Sequence, residues 1–364
     1  MSDIKDKIKE FIVDLQKGQL IGIDIGLSSV KMCYIEASKK GKYKLERYES
    51  MQLSEASIIE DEIQKPEEVI ELISKIYANF NLKKVQIACL GIDGPNTVTK
   101  RIQVPDGVEE DVEDNILWES EQYIPFGSED AEIGYSILGR IEEEDVVDAI
   151  VGAGKTEVIE RYMEYIKEAG LYVKVVELNI FALVNVFEEC MKNRIDDMSE
   201  EGTIIIDFGA QYTSVIVYKN GGPVLTKEIN IGGVLVTEEI QRTMGVSYEE
   251  AEDLKVYGDD NGNLPEEILG IVNDHNARLM DELKKVLNFF IAAGSSEQVG
   301  NCVITGGSSL LPGLKNALSS LIDLEIEELD PFSFLDLKVK LTDEQMHEIK
   351  YCGAVVIGLG MRSV

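Results

Sequence analysis

A two-lobed α/β fold built by duplication is predicted by two matching segments about half a chain apart. Ile21-Gly22-Ile23-Asp24-Ile25-Gly26 aligns with Ile204-Ile205-Ile206-Asp207-Phe208-Gly209. In each, an apolar run of buried-strand character ends in Asp-x-Gly. A small or polar turn follows, and a second run rich in β-branched residues returns. A third run completes a meander both times, Tyr43–Tyr48 after the first copy and Val224–Asn230 after the second. One short match arises readily by chance; matched spacing through two whole meanders does not.

The elements follow in order. Residues 1–19 read as an amphipathic helix, with Ile4, Ile8, Phe11, Ile12 and Leu15 at helical spacing. Its lysines balance its acids, which points to docking on protein rather than on a membrane surface. Residues 20–100 form the first lobe. Its strands are Leu20–Ile25, Val30–Glu36 and Tyr43–Tyr48, then comes a helix, Lys65–Phe80, and a strand, Lys84–Gly91. Residues 101–176 read as an inserted α/β subdomain: a helix over Val108–Tyr123 stopped by Pro125, strands at Ala131–Leu138 and Val146–Val151, a helix over Thr156–Ala169 and a strand at Tyr172–Glu177. A return connector, 177–200, leads to the second lobe, 201–340, with a strand at Cys302–Thr305 and a helix from about Pro312. Residues 341–364 return to the first lobe through a small-residue helix, Cys352–Gly360.

Composition narrows the function classes. The 364 residues include 68 acids against 35 bases, a formal net charge of −33. Such a surface lacks the basic face that nucleic acid requires and is repelled by anionic lipid, while a basic partner is attracted. Only two histidines, His275 and His347, are present. That argues against a Ser-His-Asp site or a His-rich metal site. The five cysteines are scattered without a Cys-x-x-Cys pair, as expected of reduced thiols in a cytosol. No apolar run reaches the 18 residues of a membrane helix, and the charged N-terminus is unlike a signal peptide. A cytoplasmic protein is expected, held at a membrane only through partners.

The turns suggest the chemistry. Gly26 and Gly209 let backbone amides approach a ligand closely, and clustered amides bind anions, phosphates above all. Leu27, Ser28, Ser29, Ala210 and Thr213 complete the two turns. Asp24 and Asp207 are placed to hold a hydrated Mg²⁺ beside a polyphosphate, and Lys31 to reach a β- or γ-phosphate. Gly306-Gly307-Ser308 between strand and helix is another place for close nucleotide approach, and Gly232-Gly233 before a helix is a further one. Glu252 and Lys255, on a helix between them, are candidates to flank a ribose or base. Glu177, the acidic residue at the start of the 177–200 connector, is a candidate either to position a water or to serve a structural role. Val151-Gly152-Ala153-Gly154-Lys155-Thr156 is only a partial P-loop, because Ala149 stands where that motif needs glycine.

This order of motifs resembles the actin, Hsp70 and sugar-kinase superfamily over nearly the whole chain. The resemblance implies duplicated ribonuclease H-like lobes with ATP and Mg²⁺ clamped between them. It narrows at Trp118-Glu119-Ser120-Glu121-Gln122-Tyr123-Ile124-Pro125-Phe126, which resembles the signature of the PilM family of type IV pilus assembly proteins. Gly232-Gly233 with Thr237, Ala251-Glu252 with Lys255, and Thr305-Gly306-Gly307-Ser308 with Leu311-Pro312-Gly313 also match that family. The family is similar in fold to FtsA, whose branch carries the extra subdomain.

The resemblance implies an ATP-binding scaffold with at most slow hydrolysis. It would dock the cytoplasmic N-terminal tail of a PilN-like inner-membrane protein and through it reach the pilus motor ATPases. Trp118, Tyr123 and Phe126 are candidate partner contacts. The chain departs from the family at Leu27, where serine or threonine is frequent, and at Lys227, where arginine is frequent. Two alternatives stay open: a small-molecule kinase on the same fold, and a scaffold of another machine like GspL or FtsA. The oligomeric state is left open, a homo-oligomer included.

Overall fold

The computed structural model describes residues 18–364 apart from 39–40, 60, 83–84, 196–197, 199–200, 260–261 and 293–298. The helix expected over residues 1–19 therefore lies, but for its last two residues, outside the described residues. The chain forms two compact units: Met1–Cys190 with Asp330–Val364, and Met191–Leu329.

The first unit opens with an antiparallel meander, β1 (Ile21–Ile25), β2 (Ser29–Ala37) and β3 (Tyr43–Gln52). A short hairpin, β4 (Ile58–Ile59) and β5 (Glu62–Ile63), precedes helix α1 (Pro66–Phe80). Val69, Ile73, Ile76 and Phe80 form the buried stripe of that helix. Strand β6 (Ile87–Ile92) then runs parallel to β1. Both strands are nearly continuous in apolar residues because both faces are covered. Ile21, Ile23, Ala88 and Leu90 share a core with α1. Cys89 lies in a second core with Leu20, Ala182 and Leu359.

The inserted piece is smaller than expected. Strands β7 (Thr97–Pro105), β8 (Ala131–Ile141) and β9 (Val146–Lys155) form a three-stranded sheet with β9 central. Helix α2 (Glu109–Ser120) covers it around Ile102, Val104, Val112, Ile116, Val147, Ala149 and Val151. The helix stops at Ser120 and Glu121–Tyr123 continues as a single 3₁₀ turn. Helix α3 (Thr156–Glu168) and strand β10 (Tyr172–Leu178) do not belong to the insert. Ile159 and Ile166 of α3 pack in the core that holds α1, and β10 adds to the main sheet beside β6. The insert thus spans Thr97–Lys155 rather than 101–176. Local periodicity identifies a strand but not the sheet it joins. Helix α4 (Asn179–Cys190) follows.

The second unit repeats the plan. Strands β11 (Thr203–Phe208), β12 (Thr213–Lys219) and β13 (Gly222–Ile229) form a meander, then come helices α5 (Val234–Met244), α6 (Tyr248–Tyr257) and α7 (Glu266–Ala292). Strand β14 (Asn301–Thr305) runs parallel to β11. Helix α8 (Leu314–Leu321) begins two residues later than expected, after a 3₁₀ turn at Gly307–Leu310. Strand β15 (Ile326–Glu328) ends the sheet. Ile204, Ile206 and Phe208 of β11 pack against Ile268, Val272, Leu279 and Leu283 of α7 and against Leu314 and Leu318 of α8.

The first unit resumes at Asp330, ahead of residue 341, because β16 (Leu335–Leu337) pairs with β3. Helix α9 (Asp343–Cys352) meets α10 (Ala354–Gly360) at Gly353; α10 is the expected small-residue helix, starting at Ala354 rather than Cys352. Its glycines work through backbone contact. A Cβ on Gly22 would meet Gly360 N and Val356 O, both at 2.6 Å, and one on Gly358 would meet the backbone of Ala182. The helix lies directly on β1 and α4 for want of side chains there.

The duplication is visible in the pairing itself. The sheets run β10-β6-β1-β2-β3-β16 and β15-β14-β11-β12-β13. Asp24 stands opposite Lys31 and Ile25 opposite Val30; Asp207 stands opposite Ser214 and Phe208 opposite Thr213. Each turn is closed by one bond, Gly26 N–H to Ser29 O at 3.0 Å and Gly209 N–H to Tyr212 O at 2.9 Å.

Candidate functional site

In the first unit the hairpin brings Asp24 and Lys31 together. Lys31 Nζ lies 3.4 Å from Asp24 Oδ2, both side chains about nine-tenths buried. Burial alone would lower the lysine's pKa. The Asp24 carboxylate, with Cys352 and Glu348 of α9, outweighs it and holds the ammonium above its ordinary value. Nζ also lies 3.9 Å from where a Cβ on Gly26 would stand, so the charge sits at the mouth of the turn. Ser28 is exposed and its carbonyl accepts from Leu53 N–H at 2.9 Å, while Ser29 is buried. Leu27 packs against the α1 core, so only its backbone faces the turn.

Glu177 lies on β10 beside Gly91 of β6, one step past the rung where Leu90 of β6 meets Ile23 of β1. Asn185 Nδ2 donates to Glu177 Oε1 at 3.2 Å; Arg362 Nε lies 3.1 Å from Oε2 as an ion pair, while that oxygen accepts no hydrogen bond. Burial raises its pKa, and Arg362 and Asn185 pull the other way. This is the geometry of a strut tying the C-terminal segment to the sheet.

In the second unit two further loops converge on the Asp207–Gly209 turn. Gly233 N–H donates to Gly209 O at 3.1 Å, Val234 N–H to Ala210 O at 2.9 Å, and Ser308 Oγ to Gly209 O at 2.9 Å. A Cβ on Gly232 would collide with Ala210 O, and one on Gly233 with Ser308 Oγ. Gly306 has φ +91, and a Cβ there would strike Phe208 O and the Asp207 carboxylate. Gly307 opens the 3₁₀ turn that follows. Thr213, expected to offer its hydroxyl to a ligand, donates it to Ile231 O at 2.7 Å and is buried. Glu252 and Lys255 face each other at 2.7 Å. Thr237 Oγ1 donates to Glu252 Oε2 at 2.6 Å, and Lys255 Nζ donates to Thr237 Oγ1 at 2.9 Å and to Gly233 O at 3.4 Å. The pair fastens the Gly232-Gly233 corner.

Two positioning residues were not foreseen as such. His275 Nε2 lies 3.2 Å from Gly232 O and its Nδ1 lies 3.4 Å from Asn276 Oδ1, while Asn276 Nδ2 donates to Pro312 O at 2.9 Å. Adjacent residues of α7 thus hold two of the three loops. Burial pushes His275 below its ordinary pKa, while its contacts with Asn276 and Gly232 pull the other way. The available signal was a buried His-Asn pair in an otherwise amphipathic helix.

The remaining motifs separate. Gly152 and Gly154 of the partial P-loop lie in β9, where a Cβ would meet Phe181 and Leu178, or Ile92 and Ile159. They are packing glycines. Trp118 is 72% exposed on α2, away from Val112 and Ile116. Tyr123 packs at the edge of the insert core with Lys100 Nζ 5.0 Å from its ring centre, and Phe126 is half-buried. Among the described residues no helix is long and apolar enough to cross a membrane, and no three metal-ligating side chains cluster.

The family description "Type IV pilus assembly protein PilM" matches residues 22–364. The chain belongs to the PilM family. A solved PilM–PilN type IV pilus biogenesis complex superposes with a TM-score of 0.82 at 22% identity, over 95% of this chain and 99% of that one. MreB5 of Spiroplasma citri, solved with AMPPNP, gives 0.52 at 13% identity over 94% of this chain and 95% of that one. These likenesses establish the actin-like fold. Cell division protein FtsA of Enterococcus faecalis is 23% identical over 49% of this chain and 43% of its own length. The chain thus spans less than half the length of such curated relatives. PilM membership also accounts for the order of the glycine loops, which the meanders alone did not explain.

Proposed function

We propose that this chain is a cytoplasmic ATP-binding scaffold of a type IV pilus assembly machine. It docks the N-terminal tail of a PilN-like inner-membrane protein, is held at that membrane by it, and reaches the motor ATPases through it. The observation that carries the reading is the family match over residues 22–364. The residues also fit the nucleotide. Gly306, Gly232 and Gly233 keep side chains out of a backbone cradle, and a buried hydroxyl, Thr305 Oγ, has no protein partner. The exposed indole of Trp118, with Tyr123 and Phe126, is the proposed partner surface.

In this reading the second unit holds the nucleotide through the loops at Gly209–Ala210, Gly232–Gly233 and Gly306–Ser308. The first unit offers Lys31 and the backbone of Gly26–Ser29 to phosphate. Asp24 in the first unit and Asp207 in the second are each the proposed carboxylate of that unit for a hydrated Mg²⁺. The cation's part is to neutralise phosphate charge. Glu177 is hydrogen-bonded by Asn185 and ion-paired with Arg362, which suits a structural role, and hydrolysis is slow or absent in this reading.

Equilibrium dialysis with Mg-ATP, followed by phosphate release, tests this. Retention at millimolar ATP with turnover well below about 1 s⁻¹ is expected, against about 1–100 s⁻¹ for a kinase. Phosphotransfer to a small metabolite at kinase rates would contradict it. So would failure to retain ATP.

A further inference from the structure

Thr305 ends β14 in register with Asp207 of β11. Paired residues of parallel strands project to the same face, so the hydroxyl and the carboxylate share one side of the sheet. Ile304, one residue earlier, points the other way into the core with Ile206. Thr305 is 3% exposed, and its Oγ has no hydrogen-bond partner. The other buried threonines of this unit differ. Thr203 donates to Met198 O at 3.1 Å, Thr213 to Ile231 O and Thr237 to Glu252. A buried hydroxyl left without a partner is costly, and such groups mark places where a ligand or ordered water completes the structure.

The neighbour restricts the ligand. A phosphate oxygen beside Asp207 would meet a like charge. A water free of any cation would bridge hydroxyl and carboxylate whether or not nucleotide is present, and the titrations with and without Mg²⁺ separate that case. A water bound to a divalent cation is drawn by Asp207 and is a strong donor, and Mg²⁺ keeps several such waters. We propose that Thr305 is a positioning residue of the nucleotide site whose Oγ accepts a hydrogen bond from a cation-bound water held beside Asp207. The inference rests on the Mg-ATP reading above. It adds a residue that makes nucleotide affinity depend on the metal. The hydroxyl has no protein partner, so its loss is expected to leave the empty protein as stable.

Isothermal titration of the full chain with ATP in Mg²⁺, and with ATP in EDTA, tests this on wild type, Thr305→Val and Thr305→Ser. Thr305→Val is expected to weaken Mg-ATP about five- to tenfold and leave ATP in EDTA within about twofold. Thr305→Ser keeps wild-type values. Without nucleotide, Thr305→Val melts at the wild-type temperature or up to about 4 °C higher, since an unpaired buried hydroxyl is gone. Equal weakening of ATP with and without Mg²⁺, unchanged Mg-ATP affinity, or a lower melting temperature without nucleotide would each overturn the inference. If the wild type binds ATP in neither condition, the nucleotide reading itself fails.

Discussion

Gly306→Ala is expected to lower ATP affinity at least about a hundredfold, a loss of roughly 2.7 kcal/mol, and to destabilise the second unit. The added Cβ strikes Phe208 O and the Asp207 carboxylate, and the backbone has φ +91, which an L side chain adopts with strain. Because the obstacle is largely backbone, the loop rather than a rotamer must move. Strain and overpacking together come to about 3 kcal/mol. The shift displaces the Ser308 bond to Gly209 O, so the loops lose register with one another. Calorimetric titration and thermal melting read the two effects. Gly270→Ala is the matched control: it lies in α7, and a Cβ there meets nothing within 4 Å. Wild-type affinity in Gly306→Ala would refute the cradle.

Lys31→Met carries the second large effect. It leaves the Asp24 carboxylate buried without the cation 3.4 Å away. Breaking a buried pair on one side costs about 3–5 kcal/mol. Lys31→Met combined with Asp24→Asn removes both charges and is expected to recover most of that stability. Neither variant retains ATP, because the phosphate loses its ammonium. Denaturant melts separate the outcomes. A single variant as stable as wild type would mean that the pair contributes little to the first unit.

Much of this was legible from residue order. The paired Asp-x-Gly hairpins emerged as strands in the same register because alternation and turn residues are local signals. The glycine loops were visible because a Gly-Gly pair just before a helix has few uses. What escaped is nonlocal. Strand β10 and helix α3 read as part of the insert because nothing in their own residues says which sheet they join. Thr213 and Ser308 looked alike as hydroxyl donors, yet one bonds Ile231 and the other bonds Gly209 across to a different loop. His275 looked idle because its partner, Gly232 O, is 43 residues away in sequence. Glu177 left a base and a structural role equally open because its ion-pair partner, Arg362, is 185 residues further along the chain.

The most direct measurement is a titration of the purified chain with a peptide copying the cytoplasmic N-terminal tail of its cognate PilN-like protein, with and without Mg-ATP, by fluorescence of Trp118, the single tryptophan. Saturable one-to-one binding is expected, with the indole emission shifting as its surface is covered and the affinity depending on nucleotide. A tail that binds in neither condition, at peptide concentrations up to the millimolar range, would contradict the scaffold assignment.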